Sequence, residues 1–445
     1  MTAANAAVVP SGMSESEHKA QLRRAVIAST VGTTIEWYDF LLYGTVTALV
    51  FGKLFFPKSD PLVGVLEAFS VFFIGFVGRP IGAFIFGHWG DRIGRKATLI
   101  VTLLVTGIAT IAVGCVPGYD SIGIWGAVLL TTIRLIQGIG VGGEWGGSVL
   151  LAMEWAHSNK NRGFLSSWPQ FGAPCGLFLA NCAVLFFSWY SGDQFLVWGW
   201  RIPFFLSAVM VGVGLWIRLG IMETPVFQRI LDEERTERVP VLEVWKRQPK
   251  QIILTALLRL PEQAPGYIVG AWIFTYATGV LGFSRDFVLL GVISQTILGF
   301  IWVVFAGHFS DYVGRKNMYM IGAAFMGVFG FVYIAMLNTG VPWVVFTAIA
   351  ISLLPVMTQY GPEAALIAES FTPRLRYSGA SIGYQLASVI AGGPSPFIAT
   401  WLFATYGSAW PIAFYILLCA IVGIISTALL TDYTNKEISA EYETV

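Results

Sequence analysis

Apolar and polar positions in this chain alternate on the scale of whole helices. Twelve predominantly apolar stretches run roughly 26–52, 65–87, 97–116, 122–150, 163–189, 199–220, 250–281, 287–307, 317–337, 342–368, 377–404 and 408–431, with short polar loops between them. A helix needs about 20 apolar residues to cross the hydrocarbon of a bilayer, so each stretch predicts a membrane-spanning helix. The longest polar interval, 221–249, is densely charged and separates six spans from six. The expected fold is an all-α membrane protein of twelve transmembrane helices in two six-helix bundles. Its domains are a polar tail (1–25), a first bundle (26–220), a linker (221–249), a second bundle (250–431) and a tail (432–445).

Composition agrees. Of 445 residues, 56% are hydrophobic and only 12% charged, with a mean hydropathy of +0.69, far from the roughly 25% charged residues of a soluble domain. The net charge is +1, and the clustered basic surface that counterion-driven nucleic-acid binding needs is absent outside short loops. Cys115, Cys175, Cys182 and Cys419 lie in or beside apolar segments without metal or disulfide spacing, so free thiols and no metal are expected. The first 24 residues lack a signal peptide's compact apolar core, which makes the first helix an uncleaved anchor. Lys and Arg gather in the tails, the linker and alternate loops, among them Arg92, Arg95, Lys96, Lys160, Arg315 and Arg374. By the positive-inside rule both termini are cytoplasmic, in a cell (inner or plasma) membrane.

Two short loops nearly repeat. "GHWGDRIGRK" at 87–96 and "GHFSDYVGRK" at 307–316 stand 220 residues apart, each after the second span of its half. A fainter echo pairs Glu154 and Arg162 with Glu369 and Arg376. Repetition at half-chain spacing makes the bundles pseudo-symmetric and points to a transporter with its site at the repeat interface. Within the loops, Gly94 and Gly314 permit a tight turn, and Asp91 and Asp311 can accept bonds from helix N-termini or basic neighbours. Gly87, Asp91, Arg92, Gly94, Arg95, Lys96, Asp311, Gly314 and Arg315 are therefore candidate gating residues. The second copy has Tyr312 where the first has Arg92, which weakens any charge relay there.

The first loop resembles the signature loop of the major facilitator superfamily. The likeness narrows with "IEWYDFLLYG" (35–44), "GRPIGAFIFGHWGDRIGRK" (78–96), "RLIQGIGVGGEWGGSVLLAMEWA" (134–156), "WGWRIPF" (198–204), "METPVF" (222–227) and "RYSGASIGYQLASVIAGG" (376–393). Together these resemble the metabolite:proton symporter family, which includes carriers of shikimate, 2-oxoglutarate and citrate and of proline and betaine. The resemblance covers about 26–430. It implies the major facilitator fold, a monomer and proton-coupled uptake without a cofactor, and leaves the solute open.

The candidate chemistry is the ionisable residues inside the apolar spans, each of which costs roughly 2.5–3.5 kcal/mol near a bilayer's centre unless partnered, neutralised or hydrated. Glu36 and Asp39 lie roughly 18–22 Å along the first span, near the midplane. They are the first candidates for the proton, with Arg134 as their charge partner because "RLIQG" resembles the superfamily's proton-linked motif; Glu144 is the second. Arg79 and Arg259 are candidate anchors for a solute carboxylate, with Glu262, Tyr38, Tyr43, Gln137, Trp168, Gln170, Tyr267, Tyr384 and Gln385 as further candidate lining. The same charges could instead be static bridges between helices. Pro169, Pro174 and Pro362 are expected to kink helices at gating points.

The leading expectation is proton-coupled symport of a small organic acid, such as shikimate or a mono- or dicarboxylate, by alternating access. An osmolyte carrier for proline or betaine is the nearest alternative, and an uncoupled facilitator of the same fold is a third. An intramembrane enzyme is disfavoured, since HExxH and a phosphate-cradling loop are both absent.

Overall fold

In this computed structural model the described residues are 15–93, 95–154, 161–220, 240–372 and 375–436. They are almost entirely helical, with no strand among them. Eleven helices are long and apolar enough to span: α1 (Lys19–Phe55), α2 (Pro61–Trp89), α3 (Lys96–Cys115), α4 (Trp125–Leu150), α5 (Arg162–Gln194), α6 (Gly199–Leu219), α8 (Arg285–Val313), α9 (Arg315–Asn338), α10 (Pro342–Glu369), α11 (Arg376–Tyr406) and α12 (Trp410–Ala428). The stretch 249–279, α7, occupies the remaining place. It falls short on apolarity because Arg259, Pro261, Glu262, Gln263 and Pro265 sit in its middle. Such a helix is tolerated at membrane depth when protein, not lipid, surrounds its polar turn, and Glu262 and Gln263 are indeed buried. A short helix, Pro240–Arg247, precedes it.

Local signals set several helix ends. Ser284 is extended and accepts a hydrogen bond from the Phe287 N–H at 3.2 Å, capping α8. Gly407, at φ +63°, ends α11 in the left-handed region. Gly314, at φ +96°, makes the tight turn between α8 and α9 expected of the repeated loop. A turn of π-helix interrupts α1 at Thr47–Phe51 and α7 at Ile268–Trp272, and another interrupts α11 at Ser388–Gly392. The α1 and α7 turns occupy corresponding places, so the duplication visible in the loops extends to backbone irregularities, which often mark functional sites.

Within the first half, α1 packs on α5 and α2 on α4; within the second, α9 packs on α12 and α8 and α9 on α10. The halves meet along α5 against α8 and α10, and along α2 against α11. Outward faces are apolar and exposed, including Ile108, Val209, Trp216, Val328 and Phe414. On a water-soluble protein such a belt would drive aggregation, and here it is the lipid-facing surface. Trp125, Trp189, Tyr190, Trp343, Tyr406 and Trp410 cluster at helix ends on the face opposite the termini, where aromatic side chains sit at a membrane–water boundary.

Candidate functional site

The α2–α4 crossing is made by glycine. A Cβ on Gly138 would stand 1.9 Å from Gly75 O, one on Gly82 1.9 Å from Ile139 O, and one on Gly142 2.0 Å from Arg79 O. The two backbones therefore touch over more than a helical turn, as small residues allow in membrane helices. Arg79 and Arg134 are held beside this seam in the protein interior.

Arg134 does not pair with an α1 carboxylate, contrary to expectation. Gly75 leaves room on α2 for its side chain, and the guanidinium lies 3.8 Å from the Phe40 ring centre, 4.2 Å from Tyr43 and 4.8 Å from Phe72. Its Nη1 donates to Gln137 Oε1, and Gln137 Nε2 donates to Thr110 Oγ1 (2.8 Å) and to the Asp39 carbonyl (3.3 Å). The aromatic faces stabilise the cation where a carboxylate was expected.

Asp39 instead accepts from Ser207 Oγ of α6 at 2.5 Å, while its Oδ2 has no donor among the described residues. Glu36 Oε2 is likewise buried without a donor, and the cations whose charge Glu36 feels are Arg79 and Arg218. Arg218, near the end of α6, forms a buried ion pair with Glu144 and also donates to Leu99 O. Glu144 is thus taken by a partner that the sequence does not single out, since an arginine bordering a charged linker reads as a topology residue.

Arg79 is 1% exposed, and among the described residues it forms no ion pair. Its guanidinium lies 3.9 Å from the Phe40 ring centre, 4.8 Å from Phe76 and 5.5 Å from Trp37, and Nη1 donates to Ser388 Oγ of α11 at 3.4 Å. Nε and Nη2 meet no acceptor among the described residues. A buried cation with idle donors therefore sits where the two halves meet, and Arg134 on α4 likewise has Nε and Nη2 without an acceptor among the described residues.

The second half has a compact polar cluster. Arg259 donates from Nε to Glu363 Oε1 (2.6 Å), from Nη2 to Glu262 Oε1 (2.6 Å) and from Nη1 to the Tyr384 carbonyl (2.5 Å). Its guanidinium lies over the Tyr384 ring at 3.2 Å, and Trp145 of α4 stacks on that ring at 3.7 Å. Tyr360 and Tyr384 join their hydroxyls at 3.2 Å. Glu363 and Tyr360 were not singled out from sequence; "GPEAALIAES" drew attention for its proline, although a glutamate inside an apolar span was the signal available.

A cavity of about 70 Å³ lies between the halves. Its wall is largely apolar, with Trp37, Phe72, Pro174, Leu177 and Met357, and its polar lining is Glu262, Gln263, Tyr267 and Tyr360. Of the expected lining residues, Glu262 and Tyr267 are on this wall. Tyr38 turns away and donates to Pro203 O at 2.6 Å, and Tyr43 packs between Phe51 and Phe72. Trp168 packs on Phe164 and Phe171 outside the cavity. Gln170 accepts from Trp145 Nε1 (3.1 Å) and donates to Tyr360 O (3.2 Å), and Gln385 donates to Gly142 O (3.3 Å), so both tie one half to the other.

The face where the described chain begins and ends is latched. Asp311 accepts from the backbone N–H groups of Gly163 and Phe164, both at 2.9 Å, at the start of α5. Arg315 holds Asp311 at 3.0 Å and Glu369 at 2.8 Å, and Glu369 reaches Arg162 at 3.3 Å. Tyr377 adds a bond to Gly143 O at 3.1 Å. In the first repeated loop, Gly87 is buried in α2 and Lys96 donates to Leu219 O at 2.9 Å, whereas Gly94 and the side chains of Asp91, Arg92 and Arg95 lie outside the described residues. On the opposite face a cleft of about 730 Å³ opens between Ala48–Val65 and Thr275–Arg285. One side is closed and the other open, the arrangement that alternating access requires of a single state.

The profile described as "Sugar (and other) transporter" matches residues 24–239, and that described as "MFS/sugar transport protein" matches 147–373. The inner membrane metabolite transport protein YhjE of Escherichia coli K12 is 38% identical, over 93% of this chain and 94% of its own. The shikimate transporter of the same strain is 39% identical, over 92% and 94%. The proline/betaine transporter of that strain is 31% identical, over 94% and 85%. Among solved structures, the proton:xylose symporter XylE superposes with a TM-score of 0.74 at 19% identity, covering 95% of this chain and 98% of its own. That likeness speaks for the fold alone.

Proposed function

The chain belongs to the major facilitator superfamily, among its multi-pass membrane metabolite transporters, and from that premise we propose that it couples proton entry to uptake of a small organic acid. The observation that carries this reading is Arg79, a buried cation on the seam between the halves with two donors unused. Leaving such donors unmet is costly, and although Arg79 is not on the cavity lining, a carboxylate passing the Phe72 and Phe76 rings that screen it would satisfy them. Glu36 and Asp39, each with an oxygen lacking a donor, are the proton carriers on this reading. A proton there removes a buried charge, and a solute carboxylate at Arg79 replaces the field that Glu36 otherwise feels.

In this mechanism the termini are cytoplasmic and the state described faces outward. Solute and proton enter through the cleft lined by α1, α2 and α7. Rocking of the halves along the α5–α8 and α2–α11 seams then breaks the Asp311–α5 and Arg162–Glu369 contacts and opens the other face.

One observation favours a zwitterionic solute as the second reading. Glu262, Trp37, Phe72, Tyr267 and Tyr360 line the cavity together, and aromatic faces beside a carboxylate suit a quaternary ammonium, as carried by the proline/betaine relative.

The test is uptake into proteoliposomes of shikimate, 2-oxoglutarate, citrate, benzoate, proline and betaine, with internal pH recorded. Acidification accompanying one carboxylate, lost in Asp39→Asn, and solute uptake reduced at least tenfold in Arg79→Gln, support symport of an acid. Uptake without acidification makes the protein a facilitator, and uptake of betaine alone moves the assignment to the zwitterion.

A further inference from the structure

We infer that Glu262 and Glu363 share a single proton around Arg259, forming a second protonation site in the carboxy-terminal half that neutralises the cavity wall before an anionic solute binds. This rests on the organic-acid symport reading above and extends it.

The geometry leaves the cluster one proton short. Two carboxylates contact a single guanidinium at 2.6 Å each, and all three side chains are buried. Arg259 carries one positive charge against two carboxylates, and its third nitrogen, Nη1, donates to the Tyr384 carbonyl. Glu262 Oε1 takes a second bond from Gln263 Nε2 at 2.8 Å, whereas Glu363 Oε2 is buried with no donor among the described residues. The amino-terminal half is balanced differently, with Glu144 and Arg218 paired one to one. With both glutamates ionised the cluster carries an excess negative charge, and Glu262 presents it to the cavity.

No other described group facing the cluster cancels that charge. On α7 itself the neighbour is Tyr267; α10 adds Tyr360, α11 Tyr384 and α9 Tyr319. These are phenols, neutral at physiological pH. From α12, Tyr415 and Cys419 pack beside Leu260 and Ala264 and bring no charge. Across the seam, Arg79 and Arg134 act on Tyr267 from behind the aromatic wall formed by Phe72 and Phe76. A proton on Glu363 Oε2 breaks no bond, removes the uncompensated charge from an oxygen that no donor stabilises, and leaves one Arg⁺–carboxylate pair. An anion entering the cavity then meets a neutral wall, and a deprotonated cluster repels it. Proton binding thereby precedes solute binding, which is what a symporter needs to avoid carrying solute uncoupled.

The test uses purified full-length protein in lipid and reads the carbonyl stretch of protonated carboxylic acids by infrared difference spectroscopy across a pH titration, with no solute present. Wild type shows a carboxylic acid band that disappears as pH rises. Glu363→Gln and Glu262→Gln each remove that component and lower proton release on a pH jump by about one proton per molecule, whereas Asp39→Asn and Glu36→Gln leave it in place. Glu363→Asp, which keeps a titrating group, retains a shifted band and checks that the change is not one of folding. A band unchanged in both glutamine variants, or no such band in wild type, overturns the inference. Symport failing while the band behaves as described sinks the transport reading and leaves the proton site standing.

Discussion

Gly138→Ala tests whether the α2–α4 glycine seam is what seats the two arginines. The added Cβ would lie 1.9 Å from Gly75 O and 2.8 Å from Gly75 C. Ordinary contact begins near 3.4 Å, so the helix axes must separate by about 1.5 Å at that level. Backbone stands on both sides, so no rotamer change relieves the clash, and the cost belongs at the upper end of the roughly 1–3 kcal/mol seen for overpacking. At about 1.4 kcal/mol per factor of ten, that is a roughly hundredfold shift toward the unfolded or misassembled form. Gly212→Ala on α6 is the control, since its Cβ would have nothing within 4 Å. The assay is thermal unfolding of purified protein in one detergent, with uptake of the identified solute measured on the surviving fraction. Gly138→Ala should melt well below both wild type and Gly212→Ala, and its folded fraction should transport poorly because Arg79 and Arg134 ride on the displaced helices. Equal melting of the two variants would refute the claim that direct backbone contact sets the arginines in place.

Other expectations follow from the buried pair and the latch. Glu144→Ala leaves Arg218 charged and unpaired in the interior, a loss on the order of 3–5 kcal/mol, whereas Glu144→Ala with Arg218→Met should recover most of the thermal stability; no recovery would mean the pair is not an isolated unit. Asp311→Ala removes the two N–H acceptor contacts at the start of α5 together with the bond to Arg315. Spin labels at Asn161→Cys and Tyr312→Cys, in a background freed of the four native cysteines, should then show a longer separation across the terminal face, and an unchanged distance distribution would show that the latch is held elsewhere.

Much of the architecture is legible in the chain because a bilayer imposes a one-dimensional rule. Backbone groups in hydrocarbon must bond within their own helix, so span length and apolarity reveal the helices one by one. The duplication is legible for a similar reason, since the loop that recurs as "GHFSDYVGRK" is a local turn, and Gly314 has the positive φ that such a turn needs. Composition likewise marks Glu36, Asp39, Arg79, Arg134, Glu144, Arg259 and Glu262 as costly residues requiring an explanation. Even α7, the least apolar span, announces its role through the polar residues that lower its apolarity.

Partnership is another matter, because it depends on helix rotation and on which backbones can touch. Arg134 turns to Phe40, Tyr43 and Gln137 because Gly75 makes room there, and Glu144 finds Arg218 from a helix more than seventy positions away. Glu363 joins Arg259 although they are separated by 104 residues and two intervening spans. No helical period encodes such meetings. The sequence alone determined which residues carry charge into the membrane and at what depth; tertiary packing decided which charges cancel, leaving Arg79 and Arg134 without an anion among the described residues and the Arg259 cluster with one carboxylate to spare.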